Sequence, residues 1–346
     1  MDSEWREFLE SAGAEFYGDT IESFGNPEQE RHVVSSGDII CDLSHLAVLE
    51  ISGDDGDEFL QNQLTNDIGE LTEKKSQLSG WCTPKGRLLV LFQVIRQSSN
   101  KTLLLFPIEL LEPIQKRLQM FVMRSKVTIT NISEQRIRIG LSGPDAEEQL
   151  GAITESIPKE IDETINMENT TVVRLHPALY PRFLILTDLP GAKKTWSHLD
   201  VQATPVSSGP WELLDIRSAI PTITQRTQES FIPQMLNLQA INGLNFTKGC
   251  YPGQEVVARM EYLGKMKRGM ARITIVDESS PESGDSLYSR SSNSSQGAGE
   301  IISIQKDGDG VWEGLAVVET GIIEAGDITL MEDGTVPVMA QQLNNR

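Results

Sequence analysis

Apolar and polar positions along this chain follow two periods, and the balance between them shifts towards the carboxyl end. At the start, Trp5, Phe8, Leu9, Ala12 and Phe16 recur at helical spacing, which predicts an amphipathic helix packed on a core. Its other face is acidic, where a helix lying on a membrane would be basic. Leu46 to Ile51 reads as a strand, Ser52-Gly53-Asp54-Asp55 as a turn, and Phe59, Leu60 and Leu64 as the buried side of the next helix. The apolar run Arg87 to Arg96, the polar Ser98-Ser99-Asn100 and the run Thr102 to Phe106 predict a hairpin. Leu111, Ile114, Leu118, Phe121 and Val122 predict a helix over Ile108 to Met123. Pro113 falls in its first turn, where a missing N–H costs little.

A faint internal echo follows. Leu49 to Leu60 and Ile139 to Leu150 share Ser, Gly, Asp, Glu and Leu in register. In each, an apolar strand ends at Ser-Gly and acidic residues open a helix, where the helix dipole favours them. The echo is read as a duplicated α+β subdomain. The second copy continues with strands at Thr171 to Leu175 and Arg182 to Thr187, and helices at Lys193 to Leu199 and Trp211 to Ile216. Beyond Met270 the pattern turns to short β runs: Ala271 to Val276, Gly299 to Ile304, Val311 to Val318 and Ile328 to Leu330. Short strands with regular turn signals predict a small β-barrel. The Ser-rich stretch Ser279 to Gly297 is expected to be an exposed loop. The expected organisation is a helical extension over 1–36, α+β subdomains over 37–135 and 136–262, and a barrel over 263–346.

Composition narrows the function classes. With 346 residues there is room for a substantial core, and 38% hydrophobic with 23% charged residues is ordinary for a globular protein. No apolar run approaches the ~20 residues of a membrane span. The net charge of −20 repels phosphates, so direct nucleic-acid binding by the surface at large is not expected. Cys41, Cys82 and Cys250 form no CxxC pair and suggest neither a disulfide framework nor a metal site. The acidic start has neither a signal peptide's nor a transit peptide's character, and the expected location is the cytoplasm.

One stretch carries chemistry. Lys248-Gly-Cys250-Tyr-Pro-Gly-Gln254-Glu255 places a cation two residues from a thiol, with glycines that permit tight turns and a helix start at Gln254-Glu255. A thiol so placed gains thiolate character; a lone cysteine is also often a small core residue, and both readings stand. Lys248, Arg259, Lys265, Lys267 and Arg268 outnumber Glu255 and Glu261 in this acidic chain. Such an island suits an anion, or pairs with its own carboxylates. Direct nucleic-acid binding, as the weakest option, would run through Lys265, Lys267 and Arg268.

These residues, with Val257-Ala-Arg259 and Gly264-Lys-Met-Lys-Arg268 behind them, resemble the signature of the YgfZ family. Its members are folate-binding, tRNA-modification-related proteins, related to the T-protein of glycine cleavage and to mitochondrial iron–sulfur assembly factors. Phe59-Leu-Gln-Asn-Gln-Leu-Thr-Asn-Asp-Ile68, Cys82-Thr-Pro-Lys-Gly-Arg87, Trp211 and Ile220-Pro221 extend the resemblance over residues 40–346. It implies an α+β, three-lobed, T-protein-like architecture around a central opening. It implies a folate such as tetrahydrofolate as cofactor, and as partners iron–sulfur enzymes, tRNA-modifying ones included, with the chain itself a monomer. It makes Cys250 the functional thiol, with Lys248 beside it, Cys82 a second thiol only if the fold brings it near, and Cys41 structural. It assigns Trp211, Leu46, Glu212, Gln254, Glu255 and Arg259 to ligand binding. Trp211 reads equally as a core residue, and Leu46 stands where the family often has a second pocket tryptophan. T-proteins carry an Asp just after the turn that corresponds to Lys85-Gly86-Arg87. Here Leu88 to Phe92 follows, and aliphatic side chains do no acid–base work. The function implied is accessory to iron–sulfur enzymes; the alternative is a folate-dependent aminomethyl transferase.

Overall fold

A computed structural model describes residues 1–264, 266–292, 294 and 297–343, so Lys265 lies outside the described residues. The chain divides into two compact units. The first comprises Met1–Phe59, Glu70–Gln77 and Gln93–Ser218; the second comprises Leu60–Gly69, Leu78–Phe92 and Ala219–Arg346.

The first unit is built on a six-stranded sheet. Its order is Thr164–Asn166, Thr171–Leu175, Arg182–Thr187, Ile137–Ser142, Ile39–Asp42 and Thr204–Val206. Pairing is antiparallel except for Thr204–Val206, which runs parallel to Ile39–Asp42. Arg182–Thr187 and Ile137–Ser142 are buried along their whole length, so both sheet faces are covered even though Ile137–Ser142 alternates apolar residues with Arg138, Gly140 and Ser142. The side-chain period of two sends Ile139, Leu141, Phe183 and Ile185 to one cluster, with Trp5, Leu9 and Trp196. It sends Leu184 and Leu186 to another, with Cys41, Val173 and Trp211. Strand Leu46–Ser52 lies between Lys101–Pro107 and Thr128–Asn131, and Lys101–Pro107 pairs with the Gln93 to Ser98 portion of Leu88–Ser98.

The amino-terminal helix spans Ser3–Ser11 and is capped by the Asp2 carboxylate, which accepts from the Trp5 N–H. Trp5 and Leu9 are fully buried, and Trp5 meets the Trp196 ring edge-on at 5.7 Å between centroids. Phe16 departs from the expected helical face. Gly13 at φ +100° lies just past the helix end, and Phe16 sits in strand Glu15–Tyr17, paired with Thr20–Ser23. The two echoing segments are both strand–turn–helix: Leu46–Ser52 into Gly56–Gln61, and Ile137–Ser142 into Ala146–Gly151. Their shared glycines explain the echo. Gly53 (φ +121°) and Gly143 (φ +151°) leave no room for a side chain. A Cβ at Gly53 would lie 2.1 Å from the Lys126 carbonyl oxygen, and one at Gly143 would lie 2.0 Å from Asp38 Oδ1. The first helix stops at Gln61, so Leu64 lies beyond it and forms an isolated bridge with Trp81.

Asp162 is a local liability in this unit. It is buried at φ +67°, its main chain pairs with Ser76 and Arg174, and its Oδ1 has no hydrogen-bond partner. Burial pushes its pKa up to about 6, against smaller opposing effects of Gln93 and Lys75. A folded-state pKa above the unfolded one favours folding most below pH ~4, and that contribution is lost as pH rises through 6. Asn adopts positive φ readily. Asp162→Asn is therefore expected to be more stable than wild type by about 1–3 kcal/mol at pH 7.5, with the difference closing towards pH 4. Urea denaturation at the two pH values checks this; an equal difference at both contradicts it.

The second unit contains a nearly closed barrel. Its strand order is Ile328–Thr329, Ser286–Ser289, Gly299–Lys306, Trp312–Glu319, Arg268–Ile275 and Val338–Gln342, and a bridge between Thr329 and Pro337 brings the two ends together. Ala271, Ile273, Leu287, Ile301, Ala316 and Val318 fill it. The expected loop over Ser279 to Gly297 is corrected in part. Ser286–Ser289 is a strand because Leu287 is drawn wholly into the barrel core. Asn293, Ser295 and Gln296 lie outside the described residues.

Candidate functional site

Within the second unit, the signature segment is held by main-chain and amide contacts before any reactive group is reached. Asn245 Oδ1 accepts from the Thr247 N–H (2.8 Å), the Thr247 hydroxyl (2.9 Å) and the Lys248 N–H (3.0 Å), a side-chain mimic of a turn. The Asn245 N–H donates to the Thr65 carbonyl, and the Thr65 hydroxyl donates to the Gly243 carbonyl. Asn66 Nδ2 donates to the Leu78 and Asn242 carbonyls. The motif around residues 59–68 is thus a cradle for the cysteine segment.

Lys248 is the deepest member. Its side chain is buried, and Nζ donates to the carbonyl oxygens of Gln61 and Leu64, each at 2.6 Å, with the Tyr251 ring 5.3 Å away. Burial lowers its pKa to about 8, partly countered by Asp67. The ammonium is committed to the end of helix Gly56–Gln61, where carbonyls lack helical partners. Lys248→Met leaves both carbonyls without a donor, each a loss of about 1–3 kcal/mol, offset by releasing a buried charge. The expected net is a destabilisation of about 2 kcal/mol, with faster amide exchange across residues 245–254. Exchange no faster than wild type contradicts the anchoring role.

Cys250 is exposed, whereas Cys41 and Cys82 are buried. Burial pushes the Cys82 thiol up to about 12, and the nearby Tyr251 hydroxyl is pushed up by its own burial and, less, by Cys82. Helix Gln254–Leu263 begins at Gly253, and Gln254 Nε2 donates to the Lys248 carbonyl at 3.4 Å. Glu255 and Arg259 form an exposed i,i+4 pair at 2.8 Å, worth little to stability. Among the described residues no group of three or more His, Cys, Asp or Glu has the arrangement of a metal site. In the basic island, Arg268 donates to Ser294 Oγ and the Gly297 carbonyl.

The Lys85-Gly86-Arg87 turn meets this loop backbone to backbone. Gly86 (φ +72°) and Gly253 (φ +83°) face each other, and a Cβ at Gly253 would lie 2.5 Å from Gly86 Cα and 2.5 Å from the Thr83 carbonyl oxygen. After the turn, Leu88 to Phe92 are all buried. Sequence reading missed Glu300 here. It is half-buried on strand Gly299–Lys306; burial raises its pKa, and a Ser230 hydrogen bond and the charges of Arg268 and Arg87 oppose the rise. Its only sequence signal is a charge within an apolar run.

The other assigned residues belong to the first unit. Trp211, on helix Ser208–Arg217, is 2% exposed. Its ring abuts Gly140, where a Cβ would lie 2.6 Å from Cζ3, and the Arg182 guanidinium stands 4.6 Å from its centroid. Arg182 is fixed in turn by Asp215 Oδ1 (2.6 Å) and Ser218 Oγ (3.0 Å). Leu46 is half-buried and packs on the same cluster as Trp211. Glu212, also half-buried, adds to the negative charge that, after burial and Asp42, raises the Cys41 thiol well above its ordinary value.

Known proteins resemble this chain in sequence and in fold. The model of the GCVT N-terminal domain family matches residues 2–182. The tRNA-modifying protein YgfZ of Colwellia psychrerythraea is 33% identical over 294 residues, 84% of this chain and 87% of its own. YgfZ of Escherichia coli O157:H7 is 31% identical over 269 residues, 78% of this chain and 81% of its own. Among solved structures, the glycine cleavage aminomethyltransferase T of Bartonella henselae superposes with a TM-score of 0.76 at 13% identity. The match covers 100% of this chain and 98% of that one, and at that identity it establishes the fold alone.

Proposed function

The chain belongs to the YgfZ family of tRNA-modifying proteins, and from that premise we propose that it is a folate-binding accessory protein. In this reading it supports iron–sulfur enzymes, including those that modify tRNA, through the Cys250 thiol. One observation carries the reading: of three thiols only Cys250 is exposed, and Lys248, Asn245 and the two facing glycines fix the loop that exposes it. One exposed thiol does not hold a cluster alone, since clusters take about four protein ligands. The role proposed for Cys250 is therefore a transient one, performed on a client protein. Effects on tRNA are then indirect, in keeping with a net charge of −20. A monomer working in the cytoplasm is part of the same proposal; among the described residues no helix is long and apolar enough to cross a membrane.

Folate is proposed on the strength of the family. Trp211 as placed does not fit a pterin-stacking role, because its ring is 2% exposed and lies against Gly140, whereas a flat heteroaromatic needs an open face. The T-protein fold favours a second reading, an aminomethyl transferase. The buried aliphatic run Leu88 to Phe92 opposes it, offering no carboxylate where T-proteins handle a proton. The deciding test is titration with a reduced folate together with an assay of methylene-tetrahydrofolate formation from an aminomethyl donor. Saturable binding without turnover is expected. Clear turnover replaces the accessory reading with the transferase, and absence of binding removes folate from the proposal.

A further inference from the structure

Helix Leu111–Val122 of the first unit is anchored through Ile114 and Leu118, both buried. Its carboxyl end differs in kind. Met120, Phe121 and, one residue past the helix, Met123 are 70%, 43% and 88% exposed. Single exposed apolar residues are ordinary; three large ones within four positions form a patch of the sort that marks a contact surface. Helical spacing sets Lys116 one turn before Met120 and Arg117 one turn before Phe121, and Arg124 and Lys126 follow the patch. No Asp or Glu occurs from Pro113 to Ser133, in a chain whose acids outnumber its bases 50 to 30. Lys126 meets Asp54 at 3.3 Å in an exposed pair, which holds it only weakly.

Met123 supplies an independent observation. Its backbone lies at φ +45°, ψ −103°, a conformation that glycine adopts freely and a long side chain does not. Being so exposed, the side chain contributes nothing to the core. Folding alone therefore favours glycine at this position, and a methionine there is accounted for by what its side chain touches outside the chain.

The character of the patch selects among occupants. Methionine is flexible and polarizable and adapts to varied apolar side chains. The flanking cations favour carboxylates around them. An anionic bilayer and an RNA are extended polyanions, which a net charge of −20 repels across the whole facing surface. A short acidic segment carries few charges and feels mainly the cations within a screening length of about 8 Å.

We propose that the carboxyl end of helix Leu111–Val122 docks a short acidic, amphipathic segment of a partner protein. Its apolar side chains lie on Met120, Phe121 and Met123, and its carboxylates meet Lys116 and Arg124. This goes beyond the reading of Cys250, involves different residues and stands independently of it. The test uses the full chain with methyl-labelled methionine and a synthetic helical peptide of about 12 residues, Leu on one face and Glu on the other. Saturable shifts of the Met120 and Met123 methyl resonances are expected, with a Kd of about 0.1 mM that weakens as salt rises. The same peptide with Lys in place of Glu is expected to bind at least about tenfold more weakly. Met123→Gly removes the side chain where glycine suits the backbone. It is expected to unfold at no lower urea concentration than wild type and to bind the peptide about tenfold more weakly. No saturable shift, or equal binding of the Lys peptide, overturns the proposal. Shifts caused by phosphatidylserine vesicles or single-stranded RNA but not by the peptide assign the patch to those surfaces and overturn it as well. Binding undiminished in Met123→Gly overturns the site, and a urea midpoint below wild type overturns the strain that singles Met123 out.

Discussion

Gly253→Ala is expected to lower the unfolding free energy by about 3 kcal/mol or more, a larger loss than any other single methyl added along the signature loop. Two effects add. At φ +83° an alanine is strained by about 1–2 kcal/mol. Its Cβ would also lie 2.5 Å from Gly86 Cα and from the Thr83 carbonyl oxygen, which are main-chain atoms and cannot rotate aside. The Lys85-Gly86-Arg87 turn must then part from the Cys250 loop. Gly249→Ala is the control: a Cβ there meets nothing within 4 Å, and its cost should stay within about 0.5 kcal/mol. Urea denaturation of the two variants decides the point, and equal midpoints would sink the backbone interlock.

How far the sequence could be read depended on the range of each interaction. Strands such as Thr171–Leu175 and Arg182–Thr187 were legible because their signal lies in consecutive residues. The helix beginning at Gln254 was legible for the same reason. Strand Ser286–Ser289 was hidden because only Leu287 among its four residues faces the barrel core. Phe16 was misplaced because helical spacing continued across Gly13, whose positive φ follows the end of the helix. For the site, the motif marks Lys248 to Glu255 in the sequence, and both the segment and its chemistry stand as the proposal. What Lys248 does depends on carbonyls 187 and 184 positions away, and no local pattern encodes that. The ring of Trp211 lies against Gly140 of strand Ile137–Ser142, a distant contact without which the core and pocket readings of Trp211 both stand. Leu46 joins Trp211 in one cluster where residues of two sheets meet, which a linear reading cannot supply.

Cys250→Ala is expected to abolish function while leaving the fold intact. The thiol is exposed, so truncating it removes little packing and should change stability by no more than about 0.5 kcal/mol. Cys82→Ala has the opposite expectation. That side chain is 2% exposed, so its removal leaves a small void costing about 1–2 kcal/mol, while the exposed thiol and its loop remain. The pair separates a chemical thiol from a structural one, which a single substitution does not. The most direct measurement is rescue of a strain lacking this protein by wild type, Cys250→Ala and Cys82→Ala, with protein abundance matched. Methylthio-modified tRNA and the activity of an iron–sulfur enzyme are read together. Failure of Cys250→Ala alongside rescue by Cys82→Ala is the predicted result; full rescue by folded Cys250→Ala would contradict a functional role for the thiol.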